Sequence, residues 1–210
     1  MARARNLPRA PRACVGLALL AGPLALLAHP LDHPKRDELR LSNDAIELAV
    51  DEEVAPGAPA QALRALFDRD GNGQLDAGEQ AALLEHLARL AQLHLRLEID
   101  GAPVALVRVP GSAHGERLSD DARSTALLAV RVTFSAAWPA GSGDWRGRRH
   151  VKLVDDAPDA TGHVPTQAFC RGCEIADSSS GTFAHDPRGD WVLGAEVSPK
   201  QPLELKVRLK

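Results

Sequence analysis

The sequence predicts an α+β chain, a β-sandwich-like body into which a helix–loop–helix is inserted early. Three observations carry that expectation. Apolar and polar residues alternate in several short stretches, as strands buried on one face require. Between residues 58 and 92 the apolar period lengthens to that of amphipathic helices. Those helices are separated by DRDGNGQLDAGE, residues 68–79, too acidic for a core and too regularly patterned for an ordinary turn.

Ahead of the first strand the chain opens MARARNLPRAPRACVGLALLAGPLALLAHP. Arg3, Arg5, Arg9 and Arg12 precede an apolar run from Ala13 to Ala28 with small residues at its end, the pattern of a secretory signal peptide over residues 1–28. Gly16, Gly22 and Pro23 interrupt that run, which is short for a spanning helix. Cys14 lies before the apolar run, whereas a lipidated cysteine would follow it. No later stretch has the roughly 18 apolar residues a membrane helix needs. Loss of the signal removes four of 25 Lys and Arg and none of 28 Asp and Glu, leaving 21 − 28 = −7. An acidic chain lacks the basic surface that phosphate neutralisation demands, so nucleic acid is excluded as a partner. The one basic cluster, RGRRHVK (146–152), reads as a solvated strand end. The mature protein is expected in the periplasm or outside the cell.

The first hairpin is DELRLSNDAIELAV. Leu39 and Leu41, then Ile46, Leu48 and Val50, face one way, and Ser42-Asn43-Asp44 supplies the turn. Pro59 suits the first turn of a short helix, in which Leu63, Leu66 and Phe67 fall at helical spacing. Beyond the loop, Leu83, Leu84, Leu87, Leu90 and Ala91 mark a longer one. The period then shortens to two at Leu93, Leu95, Leu97 and Ile99, and Asp100-Gly101 turns the chain back through PVALVRV. Further strands are expected at 125–134, 150–154, 190–197 and 202–209. The segment 155–188, rich in Pro, Gly, Ser and Asp, reads as a loop excursion. This divides the mature chain into a region 36–110, hairpin, helical pair and hairpin, and a β-rich region 111–210.

The loop carries the chemistry. Counting from Asp68, oxygen donors fall at Asp68, Asp70 and Asn72, positions 1, 3 and 5. Gln74 at position 7 offers its backbone carbonyl, Asp76 at 9 acts through water, and Glu79 at 12 binds through both carboxylate oxygens. Gly73 stands at position 6, where the chain turns sharply, and Leu75 at position 8 anchors the loop to the helices. With a helix on either side, residues 58–92 are identified as a member of the EF-hand superfamily. A bidentate Glu79 favours calcium over magnesium, whose octahedron leaves no room for it. Sensor hands come in pairs, but DAPDATGHVPTQ (156–167) and DDARSTALL (120–128) lack both the position-6 glycine and the closing glutamate. A lone hand is therefore expected to be a structural clip. Residues 28–108, with AHPLD, an early strand pair, the acidic loop and LRLEIDGAPVAL, also resemble the extracytoplasmic N-terminal region of bacterial nickel/cobalt exporter-type proteins. That resemblance implies metal handling in the periplasm and stops short of the region after 110.

Cys170-Arg171-Gly172-Cys173 leaves three readings open: a tight disulfide, half of a zinc site completed by His163 and His185, or a redox dithiol. At the mature terminus, the amino group with His29 and His33 could chelate copper or nickel. No G-x-S-x-G, H-E-x-x-H or phosphate loop is found. The leading expectation is an exported, non-catalytic calcium-binding protein. The alternatives are a periplasmic carrier of nickel, cobalt, copper or zinc, and an enzyme that calcium stabilises. If residues 1–28 are a cleaved signal, the exported species should begin at His29. Terminal sequencing of protein recovered from outside the cytoplasm checks this, and an intact Met1 start would refute it.

Overall fold

The computed structural model describes residues 35–116, 118–141, 147–156, 163–179 and 182–210. The expected signal segment, His29 and His33 lie outside them. In chain order the elements are β1 (Lys35–Ser42), β2 (Ile46–Val54), α1 (Ala58–Phe67), α2 (Ala77–Leu93), β3 (Leu95–Ile99), β4 (Ala102–Val104), β5 (Val107–Arg108), β6 (His114–Glu116), β7 (Leu128–Ala136), β8 (Arg148–Asp155), β9 (Val164–Arg171), β10 (Cys173–Ser178), β11 (Thr182–His185), β12 (Trp191–Val197) and β13 (Leu203–Leu209).

The strands form two sheets, as the alternation required. The larger runs β11-β12-β9-β1-β2-β7-β5, with β6 also pairing β7, and the smaller runs β10-β13-β8-β3-β4. Leu39, Leu48, Val50 and Phe134 of the first join Leu97, Ile99, Leu153 and Leu205 of the second in one buried cluster. Antiparallel neighbours predominate, but β1 lies parallel to β9, with Leu41 opposite Cys170. The turn between β3 and β4 takes the form its sequence demands: Asp100 and Gly101 both have positive φ, 53° and 81°. The α+β, sandwich-like architecture with an inserted helical pair is thus the observed one.

Four local expectations are corrected. The segment 155–188 is not a loop excursion, because β9, β10 and β11 fall within it. The inward side chains of β9 are Val164, Thr166, Ala168 and Cys170, too small and mixed to look like a strand. PVALVRV does not stay with β3: β4 ends at Val104, and β5 pairs β7 in the other sheet. Leu93 closes α2 and is 72% exposed instead of opening the strand. Leu66 is also exposed, at 59%, while the buried face of α1 consists of Ala60, Leu63 and Arg64.

One end of the core is polar. Lys35, Asp37 and Asp155 are buried. Burial and the neighbouring Asp155 push the Asp37 carboxyl well above the usual carboxylate range, against the pull of Lys35. Burial likewise raises Glu52 to about 7, with Lys35 opposing. Each keeps its proton in the folded chain at a pH where the unfolded chain has released it. Below the ordinary value of 4.5 both states are protonated and nothing is lost. Stability should therefore fall as pH rises from 4.5 to about 7, by about 3 kcal/mol at most for Glu52. Chemical denaturation of wild type and Glu52→Gln across that range isolates this effect, which should appear as a shrinking advantage of the wild type. A difference between the two that stays constant with pH would contradict it.

Candidate metal centre

The site begins with two helix ends. α1 stops at Phe67, and Asp68 follows as its C-cap. Asp76 is the N-cap of α2: its side chain accepts from the Glu79 N–H at 2.8 Å, and Glu79 Oε2 accepts from the Asp76 N–H at 3.1 Å. This reciprocal box satisfies two donors the first helical turn leaves unpaired. It also swings Glu79 back over the loop, where it is 6% exposed and its Oε1 accepts from the Arg69 N–H at 2.7 Å.

Inside the loop, short bonds set the curvature. Asp68 Oδ2 accepts from the Gly73 N–H at 2.9 Å, drawing position 6 under position 1. Gly73 has φ +83°, which a side chain would strain. Asn72 is held at both ends of its amide, its nitrogen donating to Asp70 Oδ2 at 2.7 Å and its oxygen accepting from the Gln74 N–H at 2.6 Å. Ligand oxygens of Asp68, Asp70 and Glu79 lie within 4.8 Å of one another. Among the described residues no other such group of histidine, cysteine and carboxylate side chains occurs. Asn72 and Asp76 are occupied with backbone groups of the loop, and Gln74 is exposed, as a residue contributing its carbonyl can be.

Three carboxylates this close repel one another, and one of them is short of a partner. Asp68 Oδ1 is buried without a hydrogen bond. A buried carboxylate oxygen lacking a donor is costly, and a cation between Asp68, Asp70 and Glu79 would relieve both the repulsion and the deficit. The donor set is all oxygen, as a hard divalent ion prefers.

The neighbour of the loop is a segment the sequence disguised. Residues 118–127 run alongside the loop. Leu75 donates its N–H to the Asp120 carbonyl at 2.5 Å, and Ala122 donates to the Gly73 carbonyl at 3.1 Å, making a β-bridge of Gln74 with Asp121. The segment is tied to α1 in turn. Fully buried Arg64 donates to the carbonyls of Ser124, Ala126 and Leu127 at 2.9, 2.7 and 3.3 Å. Gly57 N–H, at the helix start, reaches the Thr125 carbonyl at 2.8 Å. Burial draws the Arg64 guanidinium below its ordinary pKa, while Asp121 opposes. Nothing in the helical period of α1 marks Arg64 as internal.

The other candidate residues do not form a second centre. Cys170 and Cys173 are joined as a disulfide, both buried. That withdraws the thiolates from a zinc site. His163 precedes β9, seven residues from Cys170, about 20 Å along a strand. His185 lies on β11, separated from β9 by β12, with its ring 4.1 Å from that of Trp191. The basic stretch 148–152 meets acids: Arg149 with Asp100, His150 with Glu204 and Lys152 with Glu98.

No family model matches the chain, and no curated protein matches it. Among solved structures it is similar to the pilus backbone protein RrgB of Streptococcus pneumoniae, at 8% identity over 84% of this chain and 82% of that one, with a TM-score of 0.23. For the full-length RrgB pilus protein the values are 10%, 85%, 36% and 0.22. Scores at this level bear on neither fold nor function. No helix among the described residues is long and apolar enough to cross a membrane.

If Arg64 fastens residues 118–127 to the loop, Arg64→Met should cost about 3 kcal/mol, as a hydrogen-bonded buried charge is lost and three carbonyls are orphaned. The amides of Leu75 and Ala122 should then exchange with deuterium faster than those of β7. Exchange at those two amides matching the wild type would defeat the assignment.

Proposed function

We propose that this chain is an exported calcium-binding module in which one EF-type hand clips two helices to a β-sandwich, with no catalytic role. The observation that carries the reading is the convergence of Asp68, Asp70 and Glu79 within 4.8 Å around a buried, unpartnered oxygen of Asp68. Asp68, Asp70, Asn72 and Glu79 would hold the ion through side chains, Gln74 through its carbonyl and Asp76 through water. A cation held there would neutralise the mutual repulsion of the three carboxylates. α1 packs on α2, and α2 on β2 and β7, so fixing the loop fixes the helices against the larger sheet. The lone hand has no second loop to signal to, and its bridge partner 118–127 is anchored to α1 by Arg64. This favours a clip over a switch. Export is supported by the leader-like residues 1–28 and by the disulfide, which persists in oxidising compartments.

Extracellular hands of this type bind at roughly 10⁻⁴–10⁻³ M. At ten times Kd, calcium should add about 1.4 kcal/mol to the stability of the wild type. Glu79→Gln should lose most of that gain, because the amide removes a charge and one of two ligand oxygens. It also sets an NH₂ against a backbone N–H, so its chelator-treated form should melt lower as well. Asp68→Asn should follow in severity, and Gln74→Ala should change little. Calorimetry with calcium and with chelator decides: a wild-type melting temperature indifferent to calcium sinks the proposal.

A further inference from the structure

Lys35, Asp37, Glu52 and Asp155 gather at one end of the sandwich, away from the metal loop. Lys35 and Glu52 are cross-strand partners in the β1–β2 hairpin, and Asp37 follows on the same face of β1. Asp155 ends β8 in the opposite sheet. Lys35 Nζ lies 2.6 Å from Asp155 Oδ2, the two side chains being 3% and 0% exposed. Nζ also donates to the Ala91 carbonyl of α2 at 3.3 Å.

A simple ion pair is a poor account of this arrangement. Of these acids Lys35 touches Asp155 alone, while Asp37 and Glu52 act on the same amine electrostatically, and a buried pair rarely repays its desolvation. Asp37 is fully buried beside Asp155, and burial with that neighbour raises its carboxyl well above the usual range. The amine and its carboxyl are thus held dry and in contact, with Asp37 and Glu52 near enough to act on them. Such proximity replaces a bimolecular encounter with an effective concentration of about 10⁵ M or more.

We propose that Lys35 and Asp155 condense within the folded chain, Nζ joining Cγ as an amide that ties the two sheets together. The balance closes without a co-reactant. One of the three ammonium protons stays on the amide nitrogen, and two leave with one Asp155 oxygen as water; nothing is oxidised or reduced. Glu52 takes the proton that frees the amine lone pair. Asp37 donates to the Asp155 oxygen that gains charge as the carbonyl is attacked, and the leaving oxygen receives the protons Nζ has lost. The raised pKa values of Asp37 and Glu52 suit these duties, one staying a proton donor and the other exchanging its proton near neutrality.

The wild-type chain itself is the test. After reduction and alkylation under denaturing conditions, its intact mass should be one water below that expected for the fully alkylated chain. Trypsin should release a branched peptide joining the residues around Lys35 and Asp155, with no cleavage after Lys35. Lys35→Arg, which keeps the charge, should restore the full mass. Glu52→Gln should slow appearance of the linked form about 100-fold. A wild type of full mass, with Lys35 open to trypsin, would overturn the proposal. So would a water loss mapping to other residues. Linkage at wild-type speed in Glu52→Gln would overturn the role given to Glu52.

Discussion

Leu75 can be buried only if the backbone on both sides of it is hydrogen-bonded, and the loop 68–79 does not arrange that alone. Buried N–H and C=O groups left unpaired cost as much as the burial gains. The chain meets the constraint with residues 118–127, which receive the Leu75 N–H and donate to the Gly73 carbonyl. Once that strip is in place it needs an anchor of its own. Arg64 provides it from α1, the helix that delivers Asp68 to the loop. Loop, helix and strip therefore form one closed set of dependencies: freeing the strip exposes Leu75, and freeing Leu75 lets the carboxylates of Asp68, Asp70 and Glu79 part.

The same bookkeeping of polar groups explains what was legible in the sequence. The convergence of Asp68, Asp70 and Glu79 was, because the loop's spacing is local. The β1–β2 hairpin and the Asp100-Gly101 turn were legible for the same reason. The strip 118–127 was not. It contributes carbonyls and N–H groups, which every residue possesses, and its side chains read only as a failed second loop. Arg64 was hidden because its burial depends on three carbonyls some sixty residues away. Strand β9 was missed for a different reason: it pairs in parallel with β1 and antiparallel with β12, and partners on both sides let small side chains such as Thr166 and Ala168 fill its inner face. Its identity lies in its neighbours.

Strand β1 reaches the smaller sheet at both of its ends, and the two ends are treated differently. Near its end, Leu41 is level with Cys170, and Cys173 Sγ lies 3.6 Å from the Leu41 carbonyl oxygen. There the disulfide closes the corner between β9 and β10, one strand from each sheet. At its start stands Lys35 against Asp155, again one residue from each sheet. Six residues separate the two positions, about 20 Å along the strand. Both ends of β1 thus carry contacts that reach from one sheet to the other.

The two closures are unequal in what they can contribute. In the chain-entropy model, a cross-link over the four residues from Cys170 to Cys173 removes little freedom from the unfolded chain, worth about 2 kcal/mol. A covalent bond between Lys35 and Asp155 would close a loop of about 120 residues, worth about 5 kcal/mol on the same model. It would also remove the charges of a buried pair. The acids left behind would remain costly above neutral pH, since Asp37 and Glu52 are raised chiefly by burial. Such a cluster is hard to justify as packing, because apolar residues of the same volume would serve the core better. It is easier to justify as chemistry performed once, during or after folding, by groups that stay behind when their work is finished.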